Sequence, residues 1–273
     1  QGGMEGGLAA AELLVGDGNP SGKTVDTFAK SLDDYPSTYN FHESRNYVDY
    51  TDDIYVGYRY FETIPGAAEK VVYPFGYGLS YTTFDVETVS AGIVNSNCTS
   101  EANKLYAKVR VTNTGKFSGK EVVQVYIAKP QGKLGKPAKE LAAFEKTREL
   151  QPGESQLMIL TWKINDMASY DDLGKVKKSA YVLEAGSYDI YVGTSVRDVT
   201  KADYSYILNH DVITEQLSAK LVPTSLPKRM LADGSYEALP QSEPVDTDYS
   251  AIGNIDPSLT EGVAPCQRAI PYF

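Results

Sequence analysis

The feature that most constrains the fold is a series of short stretches between residues 84 and 198 in which apolar and polar residues alternate. Every second residue from Leu105 to Val111 is apolar, and the stretch ends at the turn Asn113-Thr114-Gly115. The pattern recurs at 123–127, at 157–164 after Pro152-Gly153, and at 188–192 after Ala185-Gly186. Because strand side chains point alternately to opposite faces, each stretch predicts a strand. Several such strands without a long helical pattern between them predict an antiparallel sandwich.

The N-terminal residues have a different pattern. Apolar residues Leu8, Ala11, Leu14 and Val15 follow helical spacing, and Gly16 and Gly18 can end a helix. We therefore expect a short helix, packed on another element, over residues 5–16. Residues 18–23 are dense in turn formers, and they are followed by Thr24. They do not form a nucleotide-binding P-loop, because Asp17 stands where the motif needs glycine and no strand precedes the turn.

Tyrosine is abundant, with 21 residues spread over the chain, and the segment 33–62 is both aromatic and acidic. Tyrosine rings can stack on sugar rings, but they also serve as ordinary packing and strand residues. We favour packing for any single tyrosine. After residue 210 the strand pattern fades and prolines interrupt a polar stretch, which favours an extended connector lying on other domains.

Charge and composition exclude several functions. The formal charge is −10, with the acids dispersed, which disfavours binding to a nucleic-acid backbone. The sequence contains no apolar run of the roughly 18 residues that a membrane helix needs. The two cysteines, Cys98 and Cys266, lie too far from each other and from the two histidines to predict a disulfide framework or a metal site. No cofactor is indicated, and the tripeptide Asn97-Cys98-Thr99 is a weak glycosylation signal.

Three groups of motifs, read in order, resemble glycoside hydrolase family 3. The run GGLAAAELLVGDGNPSGKTVDTF is similar to the end of that family's α/β sandwich domain, although Thr24-Val25-Asp26 departs from its usual Leu-Pro. IYVGYRYFE and VVYPFGYGLSYTTF resemble the exit from that domain, and PFGYGLSYTTF is the most specific element. KELAAFEKTRELQPGES and EAGSYDIYVGTSVRDV resemble the fibronectin type III-like domain that follows it. The resemblance covers residues 2–200.

The resemblance implies a retaining β-glycosidase that uses two carboxyl groups, one as nucleophile and the other as acid and then base. The family's nucleophile is an Asp in a Ser-Asp-Trp-like motif on a TIM barrel, beside a Lys-His pair. Here Trp162 follows Thr161, and His42 and His210 follow Phe41 and Asn209, so neither motif is present. The nucleophile is therefore expected outside this chain. The resemblance also implies that the acid/base Glu lies in the α/β sandwich upstream of the part that corresponds to residue 1, so it too is expected outside this chain.

Glu5, in Gly3-Met4-Glu5-Gly6-Gly7, is the nearest candidate for an active-site carboxylate, although an acid at a helix N-terminus more often only complements the helix dipole. Asp52 and Asp53 are expected to be solvated loop acids that point in opposite directions along an extended segment. Arg59, between two tyrosines, fits a half-buried packing site with cation–π support, and Lys23 is expected to be structural.

The predicted fold class is therefore α+β and multidomain. Residues 1–83 form the end of an incomplete α/β sandwich, residues 84–210 form an immunoglobulin or fibronectin III-like sandwich, and residues 211–273 form a linker or wrapping tail. The tail also fits a permuted family member in which the barrel follows. The expected partners are the TIM barrel, the first part of the α/β domain and a β-glucoside, with homo-oligomerisation left open. The alternatives are a stand-alone carbohydrate-binding or adhesion module, a structural spacer and a β-xylosidase.

We predict that the purified chain alone does not hydrolyse an aryl β-glucoside, because the nucleophile motif is missing. A chromogenic assay with the chain at high concentration checks this. Turnover that persists through purification and disappears in Glu5→Gln would contradict the prediction and would give Glu5 a catalytic role.

Overall fold

A computed structural model describes residues 3–41, 48–94, 103–219 and 226–240. The N-terminal segment, residues 3–83, contains helix α1 (Gly6–Val15), strand β1 (Phe28–Ala29), the short helix α2 (Tyr58–Phe61) and strand β2 (Val71–Tyr73). Single 3₁₀ turns cover Leu32–Asp34, Pro36–Tyr39 and Ala67–Lys70. Within the described ranges, no helix has the length and apolar character needed to cross a bilayer.

The sandwich that follows has two antiparallel sheets. The first has the order β3 (Phe84–Ile93), β4 (Lys104–Asn113), β7 (Ser155–Lys163). The second has the order β11 (Val199–Leu208), β10 (Gly186–Gly193), β5 (Val122–Ala128), β6 (Glu140–Lys146). Antiparallel strands and a core between two sheets confirm the predicted sandwich.

The core forms where the alternating side chains of the two sheets meet. The side chains with the predicted period of two on β4 and β10 are buried in it, and β7 contributes Met158, Leu160 and Trp162 while Leu157 and Ile159 face outward. Strand β5 differs, because all residues from Val123 to Ile127 are buried. Its second face is covered by the N-terminal segment, so a continuous buried run replaces the usual alternation.

The described residues after 208 contain three strands that the sequence pattern did not reveal. Strand β12 (Val212–Gln216) pairs with β9 (Ala180–Leu183), which pairs with β8 (Ser169–Asp171), and together they make a third sheet. Strands β13 (Lys228–Met230) and β14 (Tyr236–Ala238) form a hairpin. The segment expected to be an extended connector thus contains short paired strands, and its hairpin lies on the N-terminal segment. Residues 241–273 lie outside the described residues, and the domain limits at 83 and 210 stay a prediction.

A buried ion pair fixes the loop between β5 and β6. Lys136 and Glu184 have only 1% and 3% of their surface exposed, and the Lys136 ammonium donates a hydrogen bond to Glu184. Glu184 also accepts hydrogen bonds from the backbone N–H groups of Lys133, at 2.6 Å, and Leu134, at 3.3 Å. One carboxylate therefore orients three groups of the loop, and it offsets the desolvation of the lysine.

We predict that Glu184→Ala lowers the free energy of unfolding by about 3–5 kcal/mol, because the Lys136 ammonium would remain buried without a counter-charge. Urea denaturation measures the change. The exposed Glu145, near the end of β6, provides the control variant Glu145→Ala, which should change stability by less than about 0.5 kcal/mol. Adding Lys136→Met to Glu184→Ala should restore part of the loss. Equal stabilities of the two single variants would contradict the role of the pair.

Candidate functional site

Glu5 lies at the start of α1 and is exposed to solvent. It is the N-cap residue, yet its side chain forms no capping hydrogen bond, and only its backbone carbonyl accepts one, from Ala9 at 3.0 Å. The structure does not bring Glu5 together with another carboxyl group of the described residues. A catalytic role for Glu5 therefore stays a prediction, and a charge at the positive end of the helix explains the position as well.

Helix α1 is present as predicted, but its packing is incomplete. Gly16 ends the helix in the left-handed conformation, with φ of 87°. No residue of the helix is buried, and Leu8, Leu14 and Val15 are 59%, 85% and 71% exposed. One tie to the rest of the protein is the hydrogen bond of 2.7 Å from the Tyr81 hydroxyl to the Leu13 carbonyl. A ten-residue helix is only marginally stable without a partner, so this helix needs a surface to pack against.

The small sheet of the N-terminal segment is equally uncovered. Strands β1 and β2 pair over two and three residues, and Phe28, Val72 and Tyr73 are 52%, 49% and 46% exposed. An isolated two-stranded ribbon of this length does not persist on its own. Together with the apolar residues of α1, these side chains form what we call the open apolar set: Leu8, Leu14, Val15, Phe28, Val72 and Tyr73. Extensive apolar exposure of this kind marks a surface that another element covers.

The motif residues that identified the segment meet each other at its junction with the sandwich. The Asn19 side chain donates to the Ser118 carbonyl at 2.8 Å and accepts from the Ser80 hydroxyl at 3.0 Å and from the Tyr81 N–H at 2.9 Å. A side chain at Gly78 would have its Cβ only 2.4 Å from the Gly22 carbonyl oxygen, so that position needs glycine. The NPSGK turn and the PFGYGLSYTTF run are thus two halves of one contact.

Lys23 joins the same contact, as expected for a structural residue. Its ammonium lies 2.8 Å from a carboxylate oxygen of Glu121, and both side chains are largely buried. The Thr24 hydroxyl donates to the Pro74 carbonyl at 2.8 Å and accepts from the Tyr77 N–H at 3.0 Å. Lys23 and Thr24 therefore bind protein groups, which agrees with the prediction that this turn is not a P-loop.

A cleft of about 740 Å³ opens beside this junction. The end of α1 forms one wall with Leu14 and Val15, and the sandwich forms the other with Phe117, Lys120 and Glu149. Phe117 is 61% exposed. Because apolar side chains line both walls, a segment that covers α1 could also contact the sandwich here.

The expectation for Asp52 and Asp53 is partly wrong. They lie in a turn over residues 51–54 rather than on an extended segment, and Asp53 adopts a positive φ of 51°. Asp52 is only partly exposed, one of its carboxylate oxygens is buried without a hydrogen-bond partner, and burial raises its pKa. Burial also raises the pKa of Asp53, against the opposing effect of the Arg229 guanidinium. Asp53 is nevertheless exposed, as expected of a solvated loop acid, whereas Asp52 is partly buried.

Arg229 is the charged residue that the sequence reading missed. It lies on the hairpin, and its guanidinium contacts Glu237 at 2.7 Å, Asp172 at 2.8 Å and Asp53 at 3.9 Å. The Met230 N–H donates to the Thr51 carbonyl at 2.8 Å. The hairpin thereby links the N-terminal segment to the sandwich. The ion-paired residues are far apart in sequence, so no local sequence pattern predicts these ion pairs.

The remaining predicted residues lie apart. Arg59 is half-buried on α2, as expected, but among the described residues no cation–π pair involves it. Its neighbour Tyr58 packs on Phe75, with ring centroids 4.6 Å apart, and the Tyr58 hydroxyl accepts a hydrogen bond from the Leu141 N–H.

The histidines and cysteines do not form a site in the described residues. His210 is exposed, while His42, Cys98, Cys266 and the Asn97 sequon lie outside the described residues. In the part of the chain described, no three potential ligands group around a metal position.

Comparison with known proteins identifies the two parts of the chain. Residues 1–81 match the glycosyl hydrolase family 3 C-terminal domain, and residues 121–196 match the fibronectin type III-like domain. "Beta-glucosidase A" of Butyrivibrio fibrisolvens is 63% identical over 260 residues, which cover 92% of this chain and 31% of the relative. A β-glucosidase of Ruminococcus albus is 44% identical over 257 residues, covering 93% of this chain and 26% of the relative.

Comparison with solved structures also finds similarity to β-glucosidases. A β-glucosidase from Paenibacillus barengoltzii superposes with a TM-score of 0.76 at 46% identity, over 87% of this chain and 27% of the other. The chain thus spans about a third or less of the relatives it matches. Coverage of 92% cannot be reached without residues beyond 210, so the segment after the sandwich is also shared with the Butyrivibrio protein.

We predict that Asn19→Ala loosens the junction by about 1–2 kcal/mol, since the variant removes three hydrogen bonds between the NPSGK turn and its partners. Limited proteolysis should then cut residues 16–24 faster, and the rate of cutting measures the effect. Asn209→Ala is the matched control, because Asn209 is exposed. Equal cleavage of both variants at that turn would show that Asn19 does not hold the junction.

Proposed function

Because this chain belongs to glycoside hydrolase family 3 and spans at most 31% of its two bacterial relatives, we propose that it is the non-catalytic portion of a β-glucosidase. Joined to a TIM barrel and to the first part of the α/β domain, it would form an enzyme that hydrolyses terminal β-linked glucose with two carboxyl groups. The relatives' names support glucoside rather than xyloside as the substrate.

The observation that carries this proposal is the open apolar set. Leu14 at 85% and Val15 at 71% exposure flank the end of a helix that has no buried residue. Each such side chain contributes about 1.5–3 kcal/mol when it is fully covered. The first part of the same α/β domain is the occupant that we propose for this surface, since α1 lies in the matched family 3 C-terminal domain and the chain spans at most 31% of its two bacterial relatives.

The chain would then contribute to catalysis by holding α1 in a fixed position relative to the rest of the enzyme. The junction around Asn19 and the buried Gln124 fix the N-terminal segment on a rigid sandwich. A fixed segment presents α1 in one orientation to the part of the domain that carries the acid/base residue. A small displacement of a catalytic carboxyl group costs a large factor in rate, so rigidity at this distance from the chemistry affects kcat.

A hybrid enzyme tests the proposal. The matching segment of the Butyrivibrio fibrisolvens β-glucosidase A is replaced by this chain, which is 63% identical to it. We expect the hybrid to hydrolyse an aryl β-glucoside, and we expect neither part alone to do so. A correctly folded hybrid that turns over no β-glucoside would contradict the proposal.

Within the hybrid, Leu8→Asp should reduce turnover at least about tenfold, because a charge would be forced against the covering segment. Ile159→Asp is the matched control: Ile159 is 58% exposed on the outer side of β7, compared with 59% for Leu8. The control should retain turnover. If both variants behave alike, α1 is not the covered surface.

A further inference from the structure

The outer face of the third sheet has a row of three side chains that the proposed function does not use. Tyr170 on β8 pairs in register with Tyr181 on β9, and Tyr181 pairs with Glu215 on β12. The neighbours Ala180 and Val182 are buried, so alternation places Tyr181 on the opposite, outer face. The two tyrosines are 41% and 38% exposed, and their ring centroids are 5.4 Å apart.

A cleft of about 290 Å³ adjoins this row, and we call it the tyrosine cleft. The 3₁₀ turn Ile164–Met167 supplies one wall. Its Ile164 and Met167 are buried in the core, which leaves Asn165 and Asp166 facing outward. The lining residues are Asn165, Asp166, Ala168, Tyr181, Thr214 and Glu215. The volume lies just below the range of about 300–1,000 Å³ that is typical of small-ligand pockets, which suits a single sugar ring.

The polar groups of the tyrosine cleft are not committed to the protein. Within the described part of the chain, the side chains of Asn165, Asp166, Tyr170, Tyr181 and Glu215 have no hydrogen-bond or ion-pair partner. Thr214 differs, since its hydroxyl donates to the Tyr181 carbonyl at 3.3 Å. The amide of Asn165, the carboxylates of Asp166 and Glu215 and the phenol group of Tyr181 therefore remain free to bind a ligand in the cleft, and the Tyr170 ring lies beside it.

We propose that the tyrosine cleft binds one ring of a neutral β-linked glucan. An aromatic face stacks on the apolar face of a sugar ring, and carboxylate and amide oxygens accept hydrogen bonds from its hydroxyl groups. Asp166 and Glu215 disfavour an anionic polysaccharide, because both carboxylates line the cleft and would repel a negatively charged ligand bound in it. The choice of β-linked glucose as the sugar rests on the proposed β-glucosidase function.

Affinity electrophoresis of the 273-residue chain tests the site, with hydroxyethyl cellulose as the neutral probe and carboxymethyl cellulose as the anionic one. We expect hydroxyethyl cellulose to retard the chain. Tyr181→Ala should raise the apparent Kd at least about fivefold, while Tyr181→Phe should retain the retardation, because the ring that stacks is preserved. Phe144→Ala is the control, since Phe144 is an aromatic residue that is 68% exposed on β6. It should leave the retardation unchanged.

Carboxymethyl cellulose should retard the chain less than the neutral probe does, and Glu215→Gln should reduce this difference. No retardation by hydroxyethyl cellulose, equal retardation of Tyr181→Ala and the unaltered chain, or stronger retardation by the anionic probe would each overturn the proposal. Tyr181→Ala in the hybrid enzyme should leave turnover of a small aryl β-glucoside unchanged. Failure of the tyrosine cleft can therefore be distinguished from failure of the proposed enzyme function.

Discussion

The contact between the N-terminal segment and the second sheet is the interaction on which the rest of the structure depends. At its centre lies Gln124 of β5, whose side-chain amide donates to the Thr194 carbonyl at 2.7 Å and to the Gly76 carbonyl at 3.4 Å. The Tyr126 hydroxyl donates to the same side chain at 2.5 Å. A buried amide with its groups satisfied orients its partners strongly, because any other arrangement would leave polar groups unpaired in a dry environment.

This contact explains why the two parts of the chain behave so differently. The sandwich has a complete core between its two sheets, with most of its alternating residues buried. Among the described residues, the N-terminal segment has no core comparable to that one. Its order comes from contacts along one side with Gln124 of β5 and, through Asn19, with Ser118. Its other side carries the open apolar set. The same chain thus combines a sandwich that has a complete core with a segment whose apolar side chains are exposed on one side.

Sequence reasoning succeeded where local periodicity determines structure. Strand β4 follows its alternation residue by residue, and Gly16 ends α1 as expected. It failed where distant residues decide the outcome. Arg229 contacts acids on two separate parts of the chain, and the burial of Asp52 comes from tertiary packing, so no spacing rule reveals either. Strand β12 was missed because it is short and half exposed, and its pairing with β9 gives little apolar signal.

The hairpin formed by β13 and β14 has a consequence for where the folded unit ends. Arg229 is the cation shared by Glu237, Asp172 and Asp53, and two of those acids belong to other parts of the structure. A fragment that stopped at the apparent end of the sandwich would keep Asp53 and Asp172 but lose their counter-charge. A domain limit placed at residue 210 from the family resemblance would therefore separate Asp53 and Asp172 from Arg229, the cation to which both are paired.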